Sequence, residues 1–255
     1  MTRVIKIGGR PQVDPALAGA LASAHLRMPC SLVVVHGGGD EVSALQRLHG
    51  VVSEFNGGRR ITSLLDLEII RMALSGSANK RLVSALVAAG AQALGLSGED
   101  AGLLLAMPLD AERYGYVGVP VSVNTTLLRH LLDGGYLPIL SPVSRCASPA
   151  EGLTLNVNGD DAAAAIAVAL EAEELLLVSD VPGVLREGVA LANLSSDDAQ
   201  RLIDDGTALG GMAAKLQSAI GALEGGVERV RISDIAAIED RERGTMLTRV
   251  GSVCT

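Results

Sequence analysis

The sequence predicts an α/β protein, a three-layer sandwich in which helices cover both faces of a mainly parallel sheet. Two observations support this prediction. Short apolar runs alternate with stretches of helical period along most of the 255 residues, and several helical stretches end at a glycine. Such alternation is typical of parallel strands whose connections cross over through helices.

The elements follow one another in a regular order. Buried strands are predicted at residues 4–7, 32–35, 137–140, 175–178 and 227–232. Helices are predicted at residues 16–26, 41–48, 64–74, 80–89, 125–132, 160–170, 197–202 and 212–223. Residues 51–62 indicate a hairpin or lid, and residues 103–123 a small antiparallel excursion. A boundary near Glu171 divides the chain into lobes at 1–170 and 171–255 that share one sheet.

The charge balance narrows the range of partners. A formal net charge of −8 argues against nucleic acid or an anionic membrane surface as the main partner. No apolar run approaches the ~20 residues that span a bilayer, and the sequence begins directly with a predicted strand rather than a signal peptide. We therefore expect a cytoplasmic protein. The three cysteines lie far apart, which suggests neither a zinc site nor a disulfide framework.

Lysine is rare in this chain. Of 21 lysine and arginine residues, only Lys6, Lys80 and Lys215 are lysine. This scarcity is typical of a coding bias that favours arginine over lysine. Where lysine occurs despite that bias, a compact ammonium can be required that a planar guanidinium does not replace. Composition alone leaves open whether each lysine is functional or incidental.

Two glycine-rich loops follow predicted strands. The first is Lys6-Ile7-Gly8-Gly9, and the second, His36 to Asp40, contains three consecutive glycines. Such loops let the backbone approach an anion closely, although a tight turn with an incidental lysine is the alternative for the first loop. A structural role is the favoured interpretation of His36. Neither loop has the spacing of a dinucleotide-binding fingerprint or a P-loop, so both of those classes are disfavoured.

Two further motifs open predicted helices. In the run from Asn156 to Asp160, both asparagines lie on one face of an extended segment. Asp160 stands in position to cap the following helix, which is its structural interpretation. In Gly210-Gly211-Met212-Ala213-Ala214-Lys215, the lysine lies one turn into a helix whose N-terminus attracts phosphate.

Taken in order, these motifs resemble those of one family. KIGG, HGGGD, GGRRIT, LSGSANK, GLSGED, NVNGD, LLVSDVPGV and GGMAAK are similar to successive signatures of the N-acetylglutamate kinases, in the amino acid kinase family, over residues 4–232. The resemblance implies the amino acid kinase fold. It also implies an N-terminal lobe that binds the amino acid substrate and forms a homodimer, and a C-terminal lobe that binds ATP.

The resemblance also implies roles for individual residues. Lys6 and Lys215 would hold the transferring phosphoryl group from two sides, with Asp160 fixing both lysines. The implied binding residues are Arg60 and Asn156 for acetylglutamate, Gly8, Gly9, Gly38 and Gly39 for phosphate and substrate, and Asp180 and Gly211 for the nucleotide. A structural role is favoured for Lys80, and Arg59 is expected to tolerate substitution.

The implied chemistry agrees with the residue types present. A γ-carboxylate is ionised at pH 7, so it needs no general base to attack a phosphoryl group. The reaction needs positioning and charge neutralisation, which lysines, glycine amides and Mg²⁺ carried by ATP provide. We expect no metal site built by the protein itself.

Some alternatives remain open at this point. After residue 232 the chain is shorter than its relatives, and Ile235 stands where they have a glycine. A kinase acting on aminoadipate or glutamate attached to a carrier protein is the nearest alternative, and a catalytically inactive regulatory member is another. In the family that the chain resembles, the members that arginine inhibits carry an extra N-terminal helix that links dimers into a hexamer. Only three residues precede the first strand here, so we expect a homodimer that arginine does not inhibit.

Overall fold

One large sheet organises the protein. The computed structural model describes residues 2–148 and 152–249. Its strands are β1 (Arg3–Ile7), β2 (Leu32–His36), β3 (Phe55–Asn56), β4 (Arg59–Arg60), β5 (Ala93–Gly98), β6 (Leu104–Pro108), β7 (Val117–Val123), β8 (Leu137–Cys146), β9 (Thr154–Val157), β10 (Glu174–Val178), β11 (Leu185–Arg186), β12 (Val189–Ala190), β13 (Asn193–Ser195), β14 (Arg229–Ser233) and β15 (Thr245–Thr248).

The helices lie between these strands. They are α1 (Ala16–Arg27), α2 (Gly39–Leu48), α3 (Leu64–Arg71), α4 (Asn79–Ala88), α5 (Ala111–Tyr114), α6 (Thr125–Asp133), α7 (Gly159–Ala169), α8 (Ser196–Asp204) and α9 (Gly210–Glu224). Short 3₁₀ helices occur at Arg10–Val13, Asp100–Gly102 and Ile235–Ile238, and a π-helical segment occurs at Met72–Ala78. Among the described residues, no helix is long and apolar enough to cross a membrane.

Within the described residues, the main sheet has eleven strands in the order β13-β15-β14-β10-β1-β2-β8-β6-β7-β9, and β5 pairs with β8. Most pairings are parallel, and the antiparallel ones are β14–β15, β6–β7 and β8–β9. The mainly parallel sheet predicted from the sequence is thus confirmed. Because β1 pairs with β10 along its whole length, both predicted lobes contribute to one sheet, and the boundary near residue 170 stays a prediction.

Alternating side chains of the central strands pack against helices on opposite faces. Val4 belongs to the core cluster that includes residues of α7 and α9, whereas Ile5 and Ile7 belong to the cluster that includes residues of α1 and α4. Since side chains two residues apart along a strand share a face, Lys6 lies on the side of Val4. The strand period therefore directs Lys6 toward α7.

The segment from Leu64 to Ala88 differs from the prediction of two separate helices. Its helical backbone continues from α3 through the π-helical segment into α4. The small residues of LSGSA interrupt the helical pattern of the sequence, but this segment contains no proline that would end a helix. The π turn places Ser75 so that its hydroxyl lies 2.7 Å from the hydroxyl of Ser141 on β8.

The two irregular segments take the predicted forms. Residues 51–62 contain the hairpin of β3 and β4, and residues 103–123 contain the antiparallel pair of β6 and β7. Strands β5, β11, β12, β13 and β15 were not predicted. The glycines of β5 weaken the strand signal. The other four strands are only two to four residues long, and β13 is an edge strand of the main sheet.

The shortened segment after β14 is held by a buried arginine. Arg231, which is 1% exposed, donates to the main-chain carbonyls of Ala237, Asp240 and Arg243. Its Nε lies 2.6 Å from a carboxylate oxygen of Glu174. The guanidinium thus donates to main-chain carbonyls that the short loop would otherwise leave unpaired.

Candidate active site

The glycine loops meet at the carboxyl edge of the sheet, where β1 and β2 end side by side. Gly37 donates its amide to the carbonyl of Ile7 at 2.9 Å. A Cβ added to Gly9 would lie 3.3 Å from the amide nitrogen of Gly39. The two loops therefore pack backbone against backbone, which accounts for glycine in both.

Gly38 begins α2 in a conformation that favours glycine. Its φ is +150°, and a Cβ there would lie 2.7 Å from Cδ2 of Leu74 in the π-helical segment. The N-terminus of α2 is thereby left open toward the sheet edge, where its amides and dipole favour an anion.

The backbone amide of Gly8, which was expected to bind phosphate, already has a partner in the protein. Its N–H donates to the carbonyl of Val178 at 3.2 Å. In this conformation Gly8 therefore provides close packing between β1 and β10, while Gly9 lies next to the second glycine loop.

A carboxylate shared by two lysines forms the centre of the site. Oδ1 of Asp160 lies 3.0 Å from Nζ of Lys6 and 2.9 Å from Nζ of Lys215. All three residues are buried. Asn158, not Asp160, caps α7, because its side chain accepts the amide of Asp160 at 2.8 Å. The carboxylate of Asp160 is consequently free to hold both lysines, which excludes the alternative role as a cap.

Burial and charge act in opposite directions on this triad. Burial disfavours ionised Asp160, but the ammonium groups of Lys215 and Lys6 outweigh it and lower the pKa of Asp160 to about 2. Burial lowers the pKa of Lys215 to about 8, although Asp160 opposes the shift. Near pH 7 the triad thus holds two cations and one anion, a net positive centre suited to an incoming phosphoryl group.

Arg60 lies at the base of the β3–β4 hairpin in a dense polar network. Its Nη2 donates to the carbonyl of Gly39 at 3.2 Å and to the hydroxyl of Ser43 at 2.9 Å. Its Nη1 donates to the hydroxyl of Ser53 at 2.6 Å and to the side-chain oxygen of Gln46. Burial lowers the pKa of Arg60. These contacts fix the guanidinium beside the second glycine loop.

Asn156 approaches the same space from β9. Its amide nitrogen donates to the hydroxyl of Thr62 at 3.0 Å, and Thr62 in turn donates to the carbonyl of Arg60. The amide of Asn156 is thus tied to the strand that carries the arginine.

A cavity of about 260 Å³ brings most of the predicted residues together. The predicted residues that line it are Lys6, Gly9, Gly38, Gly39, Arg60, Asn156, Asp160 and Gly211. Lys215 joins this group through Asp160. Among the described residues, no group of three or more His, Cys, Asp or Glu is placed to hold a metal ion.

Asp180 lies outside this cavity. It borders a separate opening of about 930 Å³, where its carboxylate is 2.7 Å from Nη1 of Arg10. The hydrogen bond from Arg10 lowers the pKa of Asp180. Its part in nucleotide binding stays a prediction.

His36 and Lys80 have structural positions, as the sequence indicates. Burial lowers the pKa of His36 to about 4, which keeps its ring neutral, and Asn79 bonds to that ring at 3.1 Å. Nζ of Lys80 donates to the carbonyl of Gly95 at 3.0 Å. The ammonium of Lys80 thus stabilises the strand β5.

Two polar residues near the site were not predicted to matter. Arg59 forms an ion pair of 2.5 Å with Asp161, the residue after Asp160. The two residues lie about a hundred positions apart, and no local pattern relates them. In the sequence, only the predicted hairpin at residues 51–62 indicated that Arg59 lies near the site.

Known proteins resemble this chain in sequence and in structure. The chain is 41% identical over 239 residues to an acetylglutamate kinase of Chloroflexus aurantiacus, with 93% of each protein covered. It is 41% identical over 233 residues to an acetylglutamate kinase of Geobacillus stearothermophilus, covering 91% of this chain and 89% of that protein. The crystal structure of smu.665 from Streptococcus mutans UA159 superposes with a TM-score of 0.88 at 32% identity, covering 97% and 98% of the two chains.

More distant structures share the fold. Carbamate kinase from Giardia lamblia superposes with a TM-score of 0.73 at 17% identity, covering 97% of this chain and 98% of that one. The sequence profile of the amino acid kinase family matches residues 1–234. The chain therefore belongs to the amino acid kinase family.

Proposed function

We propose that this protein transfers the γ-phosphoryl group of ATP to the γ-carboxylate of N-acetyl-L-glutamate and forms N-acetyl-L-glutamyl 5-phosphate, a step of arginine biosynthesis. The observation that carries this proposal is the arrangement of Lys6, Asp160 and Lys215 beside two glycine loops, in a cavity that Arg60 also lines. Curated relatives of this activity cover more than nine tenths of the chain.

The geometry supports a mechanism based on positioning and charge. The attacking carboxylate is already ionised, so no residue must remove a proton. Lys6 and Lys215 neutralise charge on the transferring group, and Asp160 keeps their ammonium groups at fixed positions. Lys215 also lies on α9, whose N-terminus contributes the dipole that favours phosphate.

Arg60 and Asn156 are the proposed contacts for the acyl amino acid. A guanidinium beside the second glycine loop can bind the α-carboxylate. Both of its terminal nitrogens already have protein partners. The substrate carboxylate would replace the neutral hydroxyls of Ser43 and Ser53, because a charged acceptor bonds a guanidinium more strongly than a hydroxyl does. The small cavity suits a metabolite of this size better than a large ligand.

The nucleotide is the second substrate. We propose that Mg²⁺ enters with the phosphates of ATP, and that the lobe at 171–255 binds the nucleotide with Asp180 and Gly211. The N-terminal lobe at 1–170 would then bind acetylglutamate. We also propose that the enzyme acts in the cytoplasm.

We further propose a homodimer formed through the helical segment from Leu64 to Ala88. Four large apolar residues of this segment are about half exposed, namely Leu64, Leu65, Met72 and Val87. A two-fold interface would cover them on both protomers. Light scattering after size exclusion tests this, and a monomeric mass at micromolar concentration would contradict it.

A hydroxamate assay tests the activity. Purified protein is incubated with ATP, MgCl₂ and hydroxylamine, and with acetylglutamate, glutamate, N-acetylaspartate or carrier-linked aminoadipate. We expect product with acetylglutamate only, and none from a Lys215→Ala variant. Faster turnover of the carrier-linked substrate would favour that alternative activity instead.

A further inference from the structure

Arg59 has no role in the chemistry described above, yet it links the hairpin to the catalytic helices. It precedes Arg60 on β4 and forms an ion pair of 2.5 Å with Asp161 on α7. The side chains of Arg59 and Asp161 are only 22% and 16% exposed. This burial limits solvent screening of the pair, unlike that of an ordinary surface ion pair.

Asp161 extends the link to a second helix. Its Oδ1 accepts a hydrogen bond of 2.6 Å from the hydroxyl of Ser218. Asp161 follows Asp160 in sequence, and Ser218 lies three residues after Lys215 on α9. The carboxylate of Asp161 therefore joins the hairpin to both helices that carry catalytic groups.

The hairpin depends on its contacts with neighbouring elements, among them the bonds of Arg60 to Gly39 and Ser43. Its strands are two residues long, and isolated two-stranded hairpins are marginally stable. A Cβ on Gly58 at the turn would lie 2.9 Å from the carbonyl of Gly210, so the turn already touches the start of α9. On its other strand, Asn56 accepts a bond of 3.0 Å from the exposed side chain of Arg113.

We propose that Arg59 is a positioning residue that holds the hairpin against α7 and α9. Through Arg59 and Asp161, the strand that carries Arg60 is fixed relative to Asp160 and Lys215. Binding of the acyl amino acid and alignment of the phosphoryl group are thereby coupled. This inference deepens the proposed function and rests on it, and it replaces the expectation that Arg59 tolerates substitution.

A double-mutant cycle tests the coupling. Arg59→Met removes the charge and keeps the aliphatic stem, and Asp161→Asn keeps an oxygen that can accept from Ser218. We expect each variant to lower kcat/KM for acetylglutamate by about tenfold, and the double variant to be no worse than either one. The Kd of ATP without acetylglutamate should change less than about twofold, because the nucleotide alone does not require the hairpin.

Arg113→Met is the matched control. It removes the exposed contact of Arg113 with Asn56 on the other strand of the hairpin, and should leave kcat/KM within about twofold of the unmodified enzyme. Losses that multiply in the double variant would overturn the proposal, as would normal kinetics in Arg59→Met. If the unmodified enzyme shows no turnover with acetylglutamate, the proposed function fails instead, so the two failures are distinguishable.

Discussion

The buried ammonium of Lys215 makes the pH dependence of turnover predictable. Burial lowers its pKa to about 8 against the opposing charge of Asp160, so the cation that we propose to lie beside the phosphoryl group is lost above that pH. We expect kcat/KM for ATP to be level near pH 7 and to fall about tenfold per pH unit above about pH 8.5. Bound ATP favours the ammonium form, so the decline of kcat should occur at higher pH than that of kcat/KM.

The stability of the fold should respond in the opposite direction. The folded chain binds the Lys215 proton more weakly than the unfolded chain, whose lysine has the ordinary pKa of 10.5. Between about pH 8 and that value the unfolded chain holds more protons, so the contribution of this group to the free energy of unfolding rises with pH. The full difference corresponds to about 3 kcal/mol.

Two measurements check this prediction. Initial rates between about pH 6 and 10 give the two kinetic profiles. Urea unfolding at about pH 7.5 and 9.5, compared with a Lys215→Met variant, isolates the stability contribution of the lysine. A level kcat/KM up to about pH 10 would refute the reasoning. A loss of turnover that parallels loss of folded protein would also refute it.

Three other substitutions give further tests. Arg60→Lys should raise the KM for acetylglutamate by about tenfold or more and leave that for ATP nearly unchanged, because lysine lacks the planar fork; equal effects on both substrates would contradict this role. Arg231→Met should lower the free energy of unfolding by about 3–5 kcal/mol in urea titrations, because Glu174 loses a buried partner. The exposed Arg27→Met change is its control, and an equal effect of the two would contradict the burial argument. Gly38→Ala should reduce turnover at least tenfold with little change in the circular dichroism spectrum, since its Cβ would meet the Leu74 side chain; normal turnover would show that the loop adapts.

The regular parts of the fold were predictable because their signals are local. The buried strand β1 differs from its predicted bounds by one residue at one end, and the helix α7 by one residue at each end. The prediction of a helix break near LSGSA was wrong. Small residues weaken the helical pattern there, but packing against β8 maintains the helix. Strand β5 was missed for a related reason, since its glycines carry little strand propensity but pair fully with β8.

Within the site, residues in motifs were predictable and their long-range partners were not. The sequence placed Lys6 and Lys215 in distinct glycine motifs, and the structure brings both to one oxygen of Asp160. The Arg59–Asp161 pair depends on how a hairpin meets a helix, which no local pattern describes. The occupied amide of Gly8 likewise depends on a strand that comes 170 residues later.

The position of β1 has a consequence for how the protein folds. This strand is synthesised before the other strands of the sheet, but one of its edges pairs with β10, at residues 174–178. Such pairing between distant segments closes a long loop before it yields stabilising contacts, which slows folding. Until residues 174–178 leave the ribosome, that edge of β1 lacks its native partner and is open to incorrect strand pairing. The strand that carries Lys6 thus gains its second native neighbour only after the residues between β1 and β10 have been made.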